Sequence, residues 1–120
     1  MAGEVSFFEL GVDDPERART FYGGLFGWEF DTVTSGGGFA IRAPGVPGGV
    51  HGGDPGASPY VFFRVDDLEL ALAEVVRLGG SVETPAADDE PESVARFGRF
   101  AFCRDDQGSP FGLHQAPGGG

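Results

Sequence analysis

At 120 residues, with 12 Phe and 40% hydrophobic content, the chain is long enough to bury a real core as a single domain. Its formal charge of −11 excludes a nucleic-acid partner, because an acidic surface repels phosphates, and would suit a cationic small molecule. The lone Cys103 excludes an internal disulfide framework, and no apolar run has the form of a signal peptide or the length of a membrane span, so a cytoplasmic protein with no membrane partner is expected.

The pattern from Glu4 to Val12 predicts a strand, with Phe8, Leu10 and Val12 on one face and Phe7 and Glu9 on the other. Asp13 and Glu16 read as a capping-box variant, with Pro15 just inside the helix. Ala18, Phe21, Tyr22, Leu25 and Phe26 follow as one apolar stripe, and the helix should end near Gly23–Gly27. Strands are predicted at Trp28–Val33, Phe39–Ala43 and Gly49–His51, with a hairpin turn over Ser35–Gly38. The stretch Gly52–Pro59 (GGDPGASP) reads as a link between two halves.

The second half begins with a strand at Tyr60–Val65, where Val61, Phe63 and Val65 alternate against Tyr60, Phe62 and Arg64. Asp66 is expected to cap a second helix, with Leu68, Ala71, Leu72, Val75 and Leu78 as its stripe and Gly79–Gly80 as its end. Ser81–Thr84 is a predicted strand. Pro85–Ser93 (PAADDEPES) reads as a mobile loop, and strands follow at Arg99–Arg104 and Phe111–Gln115, ahead of a loose tail from Pro117.

The halves repeat one another. Val12, Asp13, Asp14, Glu16, Ala18, Leu25 and Gly27 return as Val65, Asp66, Asp67, Glu69, Ala71, Leu78 and Gly80, and PGGVH (Pro47–His51) returns as PFGLH (Pro110–His114). The expected fold is therefore α+β: two βαβββ half-modules, about 4–53 and 59–117, in a single domain over 1–120.

The motifs FELGVDDPERARTFYGGLFGW, PGGVH, FRVDDLELALAEVVRLGG and DDQGSPFGLHQ resemble the vicinal oxygen chelate superfamily, which includes glyoxalase I, extradiol dioxygenases and bleomycin resistance proteins. The resemblance runs from Glu4 to about Pro117. It implies a curved mixed sheet around a cleft, often completed by a second subunit, so a homodimer is expected. Metal enzymes of the family place His, Glu or Gln at four cleft positions. Counted from the matching motifs, those positions hold Phe7, Tyr60, Gly49 and Gly112 here. None is an ordinary divalent-metal ligand, so the usual metal centre is expected to be absent and no cofactor is implied.

Several residues are left as candidates. Glu9 shares the face of Phe7, where a carboxylate among aromatic rings would act as a general base, bind a cation or pair with Arg64. His51 and His114 stand two residues beyond Gly49 and Gly112; they would serve as acid and base, join Glu9 in an unconventional metal site, or simply bond to backbone. Phe7, Tyr60 and Phe62, with Trp28 and Phe39, are candidate walls for a planar ligand, and the glycines at 49 and 112 would leave room for it. Cys103 reads as a buried structural thiol. The expected function is metal-independent binding of an aromatic or cationic small molecule, as in the drug-sequestering, antibiotic-resistance branch of the family. The alternative is a metal-independent lyase, isomerase or cyclase working through Glu9, His51, Tyr60 or His114.

Overall fold

Pro15 decides where the first helix begins. A proline pushes the residue before it toward an extended conformation, and in the computed structural model, which describes residues 3–33, 37–84 and 91–118, Asp14 sits at φ −125° and ψ 105°. Asp14, not Asp13, is therefore the cap, and its carboxylate accepts from the backbone N–H groups of Glu16 and Arg17. Such a cap is worth about 1 kcal/mol. The same shift of one residue recurs in the second helix: Asp67, not Asp66, accepts from the N–H of Leu70.

The chain divides into two compact units. The first runs from Phe7 to Tyr60. The second comprises the described residues up to Ser6 together with those from Val61 onward. The boundaries differ from those read in the repeat: Tyr60 goes with the first unit, and the segment before Phe7 goes with the second. Backbone pairing explains the latter, since the N–H of Gly3 donates to the carbonyl of Arg64 and the N–H of Arg64 donates to that of Glu4.

The first unit carries most of β1 (Val5–Gly11), then α1 (Pro15–Phe26), β2 (Glu29–Thr32), β3 (Phe39–Arg42) and β4 (Gly48–His51). Its strand order is β2-β3-β4-β1, antiparallel except for the parallel β4–β1 pair, in which Glu9 lies beside Gly49 and Gly11 beside His51. The second unit carries β5 (Tyr60–Arg64), α2 (Leu68–Arg77), β6 (Ser81–Thr84), α3 (Pro91–Phe97), β7 (Arg99–Arg104) and β8 (Pro110–Gln115). Its order is β5-β8-β7-β6, and here the parallel pair is β5–β8, with Phe62 beside Gly112 and Arg64 beside His114. The fold is α+β with mixed strand pairing, and each half follows the expected βαβββ order, with α3 inserted in the second.

Alternation along the strands sorts each sheet into two faces. In the first unit Leu10, Phe39, Ile41 and Val50 pack with Ala18 of α1, and Phe8, Tyr22, Trp28 and Phe30 flank them. In the second, Ala101, Cys103 and Leu113 pack on Leu68, with Ala71, Leu72 and Val75 of α2 around them. Cys103 is a buried thiol, as expected, and burial raises its pKa. The α1 stripe is narrower than its spacing suggests. Ala18 and Tyr22 face the core, but Phe21, Leu25 and Phe26 remain 62%, 60% and 56% exposed. Val61, on the strand face opposite Phe62, is also exposed.

The largest correction concerns the acidic stretch. Its end is not a loop: Pro91 opens α3, and Glu92 stands in the first turn. Proline at the first helical position and an acid beside it are start signals, because that N–H needs no partner and the helix dipole favours negative charge there. Gly98, at φ 91°, ends the helix by donating to the carbonyl of Val94. The rest of the expected loop, residues 85–90, lies outside the described residues, as do 34–36 of the predicted hairpin turn, 1–2 of the N-terminal start and 119–120 of the tail.

Candidate functional site

The face of the first unit turned away from α1 carries the chemistry. Glu9 stands on β1 and His51 at the end of β4, and His51 Nδ1 lies 2.7 Å from Glu9 Oε2. The link after β4 then folds back. The N–H groups of Gly53 and Asp54 donate to the carbonyls of Asp13 and Val12, which holds Asp54 over Gly11. Glycine at position 11 makes room for this placement, because a Cβ there would displace the Asp54 carboxylate. There Asp54 Oδ2 lies 3.0 Å from His51 Nε2 and accepts from the Tyr60 hydroxyl at 3.2 Å. The Tyr60 ring is tilted 34° to the imidazole at 6.2 Å between centroids.

This is a network of four side chains from one unit. Each carboxylate commits one oxygen, Glu9 Oε2 and Asp54 Oδ2, while Glu9 Oε1 and Asp54 Oδ1 have no donor among the described residues. Burial raises the pKa of Glu9 against the lowering pull of His51. Burial alone would lower His51, but hydrogen bonds and charge from Glu9 and Asp54 outweigh it and raise the imidazole. A carboxylate at each ring nitrogen favours the doubly protonated, charged form of the imidazole. Burial, then the charge of Asp54, raises the phenol of Tyr60, keeping it a donor.

The sequence-predicted residues divide clearly. Glu9, His51 and Tyr60 come together, and Asp54 joins them although it was read only as part of a link. Its position three residues beyond His51, in a glycine-rich turn, was the available signal, since positioned loops often carry function. Glu9 takes His51 as its partner, not Arg64. Trp28 and Phe39 are not on this face: Trp28 packs on Phe8, Tyr22 and Phe26, and Phe39 lies in the α1 core. Phe7 is on the expected face but buried.

Gly49 and Gly112 do not leave room for a ligand, because the chain's own side chains fill the space. A Cβ at Gly49 would stand 2.5 Å from Glu9 Oε1, and one at Gly112 would collide with the Phe62 ring. Phe62 is only 2% exposed and is edge-on to Phe100 and Phe102 at 5.2 and 5.3 Å. The matching face of the second unit is thus plugged by aromatic rings. His114 lies within it, 6% exposed and stacked on Phe100 at 4.4 Å. Its Nδ1 is 2.9 Å from the Ser6 hydroxyl, and its Nε2 is 2.8 Å from the carbonyl of Phe97, the last residue of α3. The carbonyl can only accept, so Nε2–H donates to it and Nδ1 accepts from Ser6. Burial, reinforced by the charge of Arg64, lowers the pKa of His114 against the pull of the Phe97 carbonyl. His114 therefore holds the end of α3.

A divalent metal does not fit the residues present. Of the four family positions, two are glycines backed by Glu9 and Phe62, one is the buried Phe7, and the fourth is Tyr60, whose hydroxyl is engaged by Asp54. The alternative donor set also fails: all four ring nitrogens of His51 and His114 are committed, and among the described residues no group of three His, Cys, Asp or Glu side chains is arranged to hold an ion.

Arg64 was noted in sequence only as a possible partner for Glu9. Its Nε is buried without an acceptor among the described residues. An unsatisfied buried donor costs about 1–3 kcal/mol.

Comparisons with known proteins agree with this architecture. CFP32 of Mycobacterium tuberculosis, and likewise of Mycobacterium bovis, which carries the provisional name of a glyoxylase, is 34% identical over 127 residues, covering 95% of this chain and 46% of that protein. The chain thus spans about half the length of these curated relatives. A glyoxylase-like domain-containing protein of Didymella fabae is 25% identical over 97% of this chain and 96% of its own length. Among solved structures, methylmalonyl-CoA epimerase from Mycobacterium tuberculosis aligns with a TM-score of 0.66 at 16% identity, over 94% of this chain and 87% of that one, a likeness of fold alone. No helix among the described residues is long and apolar enough to cross a membrane. A profile of the Glyoxalase/Bleomycin resistance protein/Dioxygenase superfamily matches residues 5–113, and the chain belongs to that superfamily.

Proposed function

We propose that the protein is a metal-independent small-molecule binder whose ligand is an aromatic amine, held at Glu9, His51, Asp54 and Tyr60. One observation carries this reading: two carboxylates flank one imidazole, and each keeps an oxygen with no donor among the described residues. An ammonium group would give such an oxygen the donor it lacks, and charge-assisted hydrogen bonds of this kind are about twice as strong as neutral ones. The Tyr60 ring offers a flat surface for the ligand's aromatic part, and the net charge of −11 favours a cation over an anion. Sequestration of a drug, as in the bleomycin resistance branch, is the physiological role this reading accommodates. A homodimer remains part of the proposal, by resemblance to the family.

A second reading is acid–base catalysis, and the raised pKa of the buried Glu9 favours it. Glu9 Oε1 would take the proton, with His51 holding the carboxylate in place. The provisional glyoxylase name of the mycobacterial relatives points the same way. Native mass spectrometry with aromatic amines and their neutral analogues separates the two. Retention of intact amines, and not of the neutral analogues, is expected. Release of a chemically altered molecule would shift the assignment to the enzyme, and binding of neither class would remove both.

A further inference from the structure

The helix of the first unit presents a row of side chains that its own unit leaves uncovered. Arg17, Phe21 and Leu25 stand four residues apart along α1, so they form one ridge on its surface. Ala18 and Tyr22, each one position further on, turn to the core instead. Phe21 is 62% exposed and Leu25 60%. Phe21 is nonetheless fixed, lying edge-on to Tyr22 at 5.1 Å, as suits an anchor for another surface. Together the two side chains bare roughly 250 Å2 of apolar surface, about a third of the ~800 Å2 that each partner gives to a standard interface. That is the apolar centre of such an interface, with a polar rim still to be supplied around it.

The two ends of the ridge differ in charge. Arg17, at the N-terminal end, is exposed, and among the described residues no carboxylate pairs with it, whereas Arg19 takes Glu16. The other end is negative. The last turn of α1 has no basic residue to balance its carbonyls, and just beyond it Glu29 and Asp31 share a single arginine, Arg42. A row with a spare cation at one end and spare negative charge at the other is complementary to itself turned end for end, as an interface about a two-fold axis requires. Antiparallel apposition sets Phe21 of each copy beside Leu25 of the other and brings each Arg17 to the C-terminal end of the opposite helix. Packing of such four-residue ridges is also the commonest way two helices meet. The net charge of −11 disfavours an anionic lipid surface or an acidic partner on the same face.

We infer that this ridge of α1 is the seat of a second copy of the chain, the two α1 helices packing antiparallel about a two-fold axis. The inference rests on the homodimer in the proposed function and gives that dimer its surface. Because α1 lies on the opposite side of its sheet from Glu9 and His51, the pairing leaves the amine site of each copy open.

The test is sedimentation of the full chain at micromolar concentration in about 0.15 M salt, where repulsion between two acidic chains is screened. The wild type is compared with Phe21→Glu, Arg17→Glu and the double variant Arg17→Glu/Glu29→Arg. The wild type should be a dimer. Phe21→Glu should raise the dimer Kd by about a hundredfold or more, because the two-fold axis counts each buried ring twice. Arg17→Glu should raise it about tenfold, and Glu29→Arg in the same chain should recover most of that loss. A wild-type dimer that both single variants leave intact overturns this face and keeps the homodimer; a wild-type monomer overturns both. An effect at Phe21 with none at Arg17 overturns the antiparallel order. Cosedimentation of a monomeric wild type with phosphatidylcholine vesicles, lost in Phe21→Glu, would give the face to a lipid surface instead. Should Phe21→Glu fail to fold, Arg17→Glu and its rescue decide, since Arg17 is exposed and holds no contact of the fold.

Discussion

Phe62 occupies in the second half the position that Glu9 occupies in the first. They are 53 residues apart, the repeat offset, and each lies in register beside a glycine, Glu9 beside Gly49 and Phe62 beside Gly112. In both cases the missing Cβ admits the neighbour's own side chain. One half thereby gains a buried carboxylate with a histidine partner, and the other a packed aromatic plug. The duplicated fold has given one unit a polar site and the other a hydrophobic filling.

The glycines test this directly. Gly49→Ala should displace the Glu9 carboxylate and cost about 1–3 kcal/mol, the usual range for overpacking. Gly112→Ala should cost more than Gly49→Ala, because the Phe62 ring is enclosed and cannot swing out. Gly24→Ala, in mid-helix with nothing within 4 Å of its Cβ, should instead stabilise by up to about 1 kcal/mol. Urea denaturation of the three variants gives the order; equal effects at 49, 112 and 24 would contradict it.

The two histidines should titrate on opposite sides of the ordinary 6.5. His51, raised by its carboxylates, contributes stability that is complete below pH 6.5 and lost as pH rises through its folded pKa. Glu9, also raised, has the same sign, with its contribution complete below 4.5 and lost above. His114 is lowered, so its contribution is present above pH 6.5 and lost as pH falls through its folded pKa. NMR titration of the ring carbons should show His51 high and His114 low, with Glu9→Gln bringing His51 down. A His51 midpoint at or below 6.5 would contradict the network.

How far the sequence alone reached follows from the range of the interactions involved. Strand parity put Glu9 and His51 on one face, and the 53-residue repeat located both capped helices, because these signals depend on neighbours a few residues apart. The cap positions slipped by one because two adjacent aspartates both satisfy the pattern, and only the proline's backbone demand selects Asp14. Asp54 was missed because its placement depends on backbone bonds from the link back to Val12 and Asp13, which no periodicity encodes. The burial of Phe62 was missed for the same reason: parity gives a face, but whether Phe100 and Phe102 close over that face is a packing question. Phe21, Leu25 and Phe26 show the reverse error: these outer members of the apolar stripe stay largely exposed, although Phe21 lies edge-on to Tyr22 and Phe26 packs against Trp28.

The homodimer makes a simple prediction. Sedimentation at micromolar concentration should give twice the 12.5 kDa of one chain. A monomer mass under those conditions would contradict the dimer and leave the proposed amine site standing, since its four residues belong to a single unit.

The central claim is that the unengaged oxygens of Glu9 and Asp54 recognise an ammonium group. Calorimetric titration of phenethylamine into the wild type and Asp54→Asn, at low and high salt, tests it most directly. The wild type should bind the amine, more weakly at high salt because a partly exposed charge pair is screened. Asp54→Asn, which keeps the side-chain size but removes the charge, should weaken binding about tenfold at low salt, the loss expected for one charge-assisted hydrogen bond. Equal affinity in the two proteins, with no dependence on salt, would contradict the claim.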